Sequence, residues 1–395
     1  MRGELMAREY RIISADSHLE IPVEQWVHRV PEQYREYAPK TVALPDGGVA
    51  QVVDGQVMAP ETKRDLRKGT RLSAHSGSFE TNDGAGPPKQ RLEEQDIDGV
   101  DAEILFAGLK TAGLWRAIKD DNAYKAIVHA YNEWLADEYC SYEPDRLIGL
   151  GAIPESGTQD AIDEMDACAR LGLKGVQLTA LPAGNSYPTL EDDPFWAAAI
   201  DMDMPISVHV QLRGGRRDMG PFFKYEKEPD FPIPSSKMDP VRFISHVRDY
   251  GARGGGDGPR LIFAGVFDRF PTLQIYFAET QVGWIPLWLE TLDDAYEEHI
   301  DAAQELYGLR SLDRPPSEYV REHCLWGFGK DSIGVRLRHD IGMDRILWYS
   351  DFPHGVTSWP DSMRIIEKMF AGVPENEKYE LLAGNCVRFY HLDEK

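Results

Sequence analysis

The stretch 10-YRIISADSHLEIP-22 decides the architecture. Tyr10–Ala15 reads as a strand, a short apolar run with β-branched and aromatic residues. The segment just after a first strand separates two ways of arranging alternating strands and helices. A doubly wound, nucleotide-binding sheet places a glycine-rich phosphate loop there. DSHLEIP fills that place instead, with no glycine and with an aspartate and a histidine two residues apart. Residues two apart on a strand point the same way, so Asp16 and His18 share a direction. That pattern favours a barrel, whose functional side chains converge from the C-terminal ends of its strands.

Seven more strand candidates follow: Ala102–Phe106, Leu147–Ile153, Gly175–Leu178, Pro205–Val210, Leu273–Phe277, Cys324–Phe328 and Arg345–Tyr349. Several are nearly continuous apolar runs, as parallel strands buried on both faces are. Between them lie amphipathic patterns, among them 121–140, 158–173 and 191–202. Eight strands alternating with helices predict an α/β protein, a (β/α)8 TIM barrel forming one domain over residues 1–395. Two Pro- and Gly-rich stretches interrupt the alternation, 20–90 after strand one and 212–235 after strand five. Both leave catalytic-end strand termini, so both are expected to overhang the pocket, the first with a small hairpin around Val49–Val57.

The formal net charge of −23 over 395 residues argues against nucleic acid, and RGGRR at 213–217 is too short to reverse that. Cys140, Cys168, Cys324 and Cys386 are widely spaced and form no metal or redox motif, which points to a reducing compartment. The first residues lack an apolar signal core, and no apolar run is long enough to span a membrane. The expectation is a soluble cytoplasmic protein with a small-molecule substrate, no nucleic acid and no membrane partner.

The polar residues at strand ends are the candidates for chemistry. Asp16 and His18 follow strand one, His209 ends strand five, Glu279 and Gln281 follow strand six, and Asp351 follows strand eight with His354 beyond it. Each has a plainer reading. Asp16 fits a helix cap, His209 a hydrogen-bonded core histidine, and Asp351 the opening of a turn before Pro353. Taken together, two histidines and two aspartates from three strands make a mixed nitrogen and oxygen site suited to Zn2+, Mn2+ or Fe2+. His129, His246 and His323 are expected to be packing or surface residues.

Other segments add to this: RLEEQDIDGVDAEILF at 91–106, LKGVQL at 173–178, ISVHV at 206–210, FDRFPTLQIYFAETQVGWIP at 267–286, REHCLWGF at 321–328 and WYSDFPHGVTSWPDS at 348–362. In this order and spacing, with ADSHLEIP at the front, the chain resembles the amidohydrolase-related group of the amidohydrolase superfamily. That group includes the aminocarboxymuconate-semialdehyde, resorcylate and carboxyvanillate decarboxylases. The resemblance implies one divalent ion, Zn2+ or Mn2+, held by Asp16, His18, His209 and Asp351. It also implies a (β/α)8 barrel in a homodimer or higher homo-oligomer. One departure stands out. Several relatives carry a histidine after strand six for acid–base work, and Glu279 occupies the matching place here.

The leading reading is a metal-dependent carbon–carbon lyase that decarboxylates a small aromatic or unsaturated acid. Asp351, Glu279 and His354 are its candidate catalytic residues. Arg213 is the candidate partner for a substrate carboxylate. Gln281, Phe352 and Trp284, with Trp359, are candidates to line the substrate pocket, although core packing is the plainer role for each aromatic. Glu20 is a weaker candidate ligand, because Leu19–Pro22 is expected to turn away from the barrel axis. The same metal suits hydrolysis of an ester, lactone or amide through an activated water. A non-catalytic binding barrel is the third reading.

Overall fold

Short, almost wholly buried strands form the frame of the molecule. The computed structural model describes residues 8–43, 49–61, 83–108, 113–185, 187–212, 214 and 255–393. The strands are β1 (Ile13–Leu19), β2 (Lys40–Ala43), β3 (Val49–Val53), β4 (Gln56–Glu61), β5 (Ala102–Ala107), β6 (Leu147–Gly149) and β7 (Gly151–Ala152). Then come β8 (Val176–Leu178), β9 (Ile206–His209), β10 (Ile275–Ala278), β11 (Cys324–Phe328) and β12 (Ile346–Trp348). Parallel pairing runs β1-β5-β6 and β7-β8-β9-β10-β11-β12.

Two seams complete the barrel. β6 and β7 are one strand interrupted at Leu150, whose N–H still donates to Leu105 O at 3.1 Å. On the other side the Asp351 N–H donates to Asp16 O at 3.0 Å and the His18 N–H to Phe352 O at 2.7 Å. Eight staves therefore surround the axis: β1, β5, β6 with β7, β8, β9, β10, β11 and β12. Ile13, Ala15, Ile104, Phe106, Leu150, Tyr276 and Leu347 fill the interior, and Phe389 and Tyr390 near the C-terminus pack with them. A larger apolar layer lies outside, between staves and helices.

The expected strand centres are all present, and their ends shift by a few residues. The largest shift is in β1, which starts at Ile13 and runs on to Leu19 rather than ending at Ala15. Its pairing with β5 slips between Ser14 and Ser17, which face Glu103 and Leu105, so one extra residue is inserted. Such bulges re-aim side chains at barrel rims. Ser17 points out of the site, donating to Glu103 Oε1 at 2.9 Å.

The described part of the 20–90 insertion holds three single-turn helices and a three-stranded antiparallel sheet, β2-β3-β4, so the expected hairpin is present with a third strand. Its second and third short helices pack against the helix Asp121–Trp134. Trp26 is buried edge-on against Trp115 and Tyr131, at 6.0 and 5.7 Å between ring centroids. Apart from Leu212 and Gly214, the 212–235 insertion lies outside the described residues, as do Arg213 and His246. His129 pairs with Glu164 on the helix Thr158–Arg170 at 3.0 Å, and His323 is buried against Phe267, so both are structural as expected. No helix among the described residues is long and apolar enough to cross a membrane.

Candidate metal centre

Stave ends bring the four expected ligands to one point. His18 Nε2 lies 3.0 Å from His209 Nε2, 3.3 Å from Asp16 Oδ1 and 3.4 Å from Asp351 Oδ1. His209 Nε2 lies 3.7 Å from Asp16 Oδ2 and 3.5 Å from Glu279 Oε2. Asp16, His18, His209 and Asp351 are buried. Phe106 packs against both imidazoles from β5, with ring centroids 6.1 Å from His18 and 5.5 Å from His209.

The arrangement is electrostatically incomplete without a cation. Both oxygens of Asp16 are buried with no hydrogen-bond donor among the described residues. A carboxylate so placed is costly unless a cation offsets it. The donor atoms of Asp16, His18 and His209 lie within 4.8 Å of one another, and so do those of His18, Asp351 and His354. Imidazole nitrogen with carboxylate oxygen fits a divalent transition metal or zinc. The four cysteines are buried as free thiols outside these groups.

Burial and mutual charge set the protonation states. Burial pushes Asp16 well above the usual carboxylate range, and the Asp351 and Glu279 charges add to it. Burial holds His18 below its ordinary value, which leaves a neutral imidazole able to ligate. For Asp351, burial acts upward, yet hydrogen bonding and charge from His18 and His354 hold it well below the usual range. His354 takes the opposite course. Burial would lower it, but Asp351 and Glu20 outweigh that and push it up to about 10.

His354 is therefore part of the centre. Its ring stacks on His18 at 3.9 Å and 19°. Nδ1 lies 2.9 Å from Asp351 Oδ1, and Nε2 lies 3.2 Å from Glu20 Oε1. Glu20 turns onto His354 and is absent from both ligand groups. Glu279 aims into the centre from the end of β10, and its side chain keeps 17% exposure. The backbone at these ends is left-handed at non-glycine residues: Val210 (φ 62°), Glu279 (55°), Gln281 (55°) and Asp351 (58°). Such conformations cost about 1–3 kcal/mol each and gather at functional sites.

Three expected pocket residues are used elsewhere. The Phe352 ring is buried under the Arg91 guanidinium, 4.5 Å from centroid to carbon, and beside Trp359 at 5.0 Å. Trp284 packs edge-on to Trp288 and Trp326, and its indole N–H reaches the Thr280 and Gln281 carbonyls. Both aromatics thus have packing partners, the plainer role weighed for each. The Gln281 amide donates to the Tyr349 hydroxyl at 2.9 Å and accepts from the Gly329 N–H at 3.2 Å, so it ties β11 to β12.

One element escaped the sequence reading. The helix Pro88–Asp98 buries Arg91, Glu94, Gln95 and Asp98, a polar face, while Ile97 is 65% exposed. The spacing 91, 94, 95, 98 is one helical stripe, so an inverted polar face was the available signal.

A family model described as Amidohydrolase matches residues 80–392. The 2-amino-3-carboxymuconate-6-semialdehyde decarboxylase of Dictyostelium discoideum is 22% identical over 309 residues, 78% of this chain and 77% of that protein. The gamma-resorcylate decarboxylase of Rhodococcus jostii is 23% identical over 322 residues, 77% of this chain and 87% of its own length. Among solved structures, the 5-carboxyvanillate decarboxylase of Novosphingobium aromaticivorans aligns with a TM-score of 0.64 at 20% identity, covering 99% of each chain. That structure holds manganese and 4-hydroxy-3-methoxy-5-nitrobenzoic acid. The likeness carries the barrel fold.

Proposed function

This chain belongs to the amidohydrolase family, and on that premise we propose that it is a divalent-metal-dependent decarboxylase acting on a small carboxylated aromatic or unsaturated acid. The observation that carries the reading is the meeting of Asp16, His18, His209 and Asp351 at neighbouring strand ends, with both oxygens of the buried Asp16 lacking a hydrogen-bond donor. Curated relatives named as decarboxylases support the reaction class.

Asp16, His18, His209 and Asp351 would hold one Zn2+ or Mn2+ ion. When bound, the ion supplies Lewis acidity toward the substrate carboxylate and a neighbouring oxygen. Glu279 faces the same space and is assigned to protonate the carbon that carries the carboxylate. The carbon–carbon bond breaks, its electron pair stays on that carbon, the Glu279 proton forms the new C–H bond, and CO2 leaves. His354, which pairs with both Glu20 and Asp351, is assigned to relay protons to the centre. Arg213 is assigned to a substrate carboxylate. The reading also carries a homo-oligomer, and a place in the cytoplasm to which four free buried thiols lend support.

Elemental analysis after chelator-free purification should find about one equivalent of metal. Incubation with 2,6-dihydroxybenzoate and 5-carboxyvanillate should release CO2. Acid release from lactones without CO2 would move the assignment to a hydrolase, and absence of bound metal would move it to a binding barrel. Asp351→Asn and His209→Ala should each remove metal or activity with the fold retained.

A further inference from the structure

We infer that Arg91 is a positioning residue of the metal centre, the brace that fixes the Asp16–His18 half of the ligand set against the Asp351 half. The inference rests on the metal assignment above and adds a residue that no ligand pattern contains.

Arg91 projects from the polar stripe of the helix Pro88–Asp98 and is 1% exposed. All five guanidinium N–H groups have an acceptor. Nε donates to Glu103 Oε2 at 2.6 Å and Nη2 to Glu103 Oε1 at 3.3 Å. Nη1 donates to the His18 carbonyl at 3.1 Å and to the Gly84 carbonyl at 3.3 Å. The remaining Nη2 hydrogen goes to the Phe352 carbonyl at 3.2 Å. One rigid fork thus holds the backbone of a ligand in β1 and of the residue directly after the ligand Asp351. The same seam carries the His18 N–H to Phe352 O bond. Arg91 sets the separation at which Asp16 and His18 meet Asp351.

The rest of the stripe fastens the same loop. The Trp359 indole N–H donates to Glu94 O at 3.1 Å. The Ser362 N–H and hydroxyl donate to Asp98 at 2.9 and 2.6 Å. Gln95 holds Glu103 Oε2 at 2.9 Å, which fixes the brace's counter-ion. A helix that turns its polar stripe inward and leaves Ile97 in solvent gives up apolar burial. Stability alone does not account for that choice. A buried ion pair is weak evidence for stability, since apolar residues of similar volume often replace one without loss. Groups that orient ligands are a different matter, and losing one commonly costs 10–100-fold in metal affinity.

The test is Mn2+ alone, titrated calorimetrically into chelator-treated full-length protein, with the Mn2+ electron paramagnetic resonance spectrum as second readout. Two variants are needed, Arg91→Lys and the double variant Arg91→Met with Glu103→Leu, which removes the guanidinium together with its carboxylate partner. Circular dichroism at the titration temperature confirms folding. The brace predicts a loss of about 10–100-fold in Mn2+ affinity and an altered spectrum for the double variant, with Arg91→Lys between it and wild type. A folded double variant with wild-type affinity and spectrum overturns the inference and leaves the metal centre standing. If that variant does not fold, wild-type affinity in Arg91→Lys overturns it. Failure of Arg91→Lys itself to fold also overturns it, because the guanidinium is then a folding group. A wild type that binds no Mn2+ sinks the metal assignment and the brace together, which is a distinguishable result.

Discussion

The two buried aspartates of the centre should respond to neutralisation in opposite directions. Asp16 is fully buried, has no aligned donor, and meets the like charges of Asp351 and Glu279. An unsatisfied buried polar group costs about 1–3 kcal/mol, more when charged. Asn keeps the shape of Asp, removes the charge and offers N–H donors to the neighbouring carboxylates. Metal-free Asp16→Asn is therefore expected to be about 1–3 kcal/mol more stable than wild type. Asp351 differs, because His18 and His354 hold its charge in place. Asp351→Asn removes one of the two carboxylates that keep His354 protonated, and should destabilise the metal-free protein by a similar amount. Unfolding entropy of about 2.1 cal/mol/K per residue makes 1 kcal/mol worth about 1.2 °C in a cooperative unit of this size. The expected shifts are about +1 to +4 °C for Asp16→Asn and the reverse for Asp351→Asn. Mn2+ at about 100 times its Kd should raise wild type by about 2.7 kcal/mol, or roughly 3 °C, and neither variant. Scanning fluorimetry at pH 7.5, after chelator dialysis and again with Mn2+, reads all of these. A metal-free Asp16→Asn that melts below wild type, or that keeps the full Mn2+ shift, would refute the reasoning.

Three further outcomes are expected. Glu279→Gln should retain metal by elemental analysis while kcat for CO2 release falls about 10²–10⁴-fold, the range for losing a positioned proton donor. For His354, the folded value near 10 exceeds the unfolded one, so its stabilisation is complete below about pH 6.5 and is lost as pH rises through about 10. In metal-free Glu20→Gln, denaturation measured across pH 6–10.5 should show that decline smaller and ending at lower pH. Gly84→Ala should destabilise the protein by at least about 1–3 kcal/mol in denaturant titration, since its φ is +75° and a Cβ would stand 2.2 Å from that of Pro353.

The barrel was readable because a stave buried on both faces is an apolar run, and runs such as CLWGF at 324–328 match the observed β11 end to end. The candidate ligands stood out for the same reason. A polar residue at the end of such a run has few places to point. Stave limits were less readable. β1 gains an inserted residue opposite β5, and a bulge set by pairing with a distant strand leaves no mark in local alternation. Phe352 shows a second limit. It adjoins a candidate ligand in sequence, yet its ring packs under Arg91. Adjacency to Asp351 carried no information about direction, because the left-handed φ of Asp351 turns the chain at that point.

Those left-handed positions connect the fold to the chemistry. A turn with φ near 60° is easiest for glycine, but glycine has no carboxylate to offer. At Glu279 and Asp351 the side chain needed by the centre occupies the strained residue itself. At Val210 the strain falls one residue beyond the ligand, on a β-branched side chain that tolerates it least. Barrel hydrogen bonds hold each of these ends. The Asp351 N–H donates to Asp16 O at 3.0 Å and the Val210 N–H to Ala278 O at 3.1 Å, so each turn is bonded to the neighbouring stave that carries another member of the centre. Ala278 precedes Glu279 as Val210 follows His209. Strain at one functional residue is thereby balanced by the pairing that positions the next, and the ligand cluster and the barrel seam are a single structural unit.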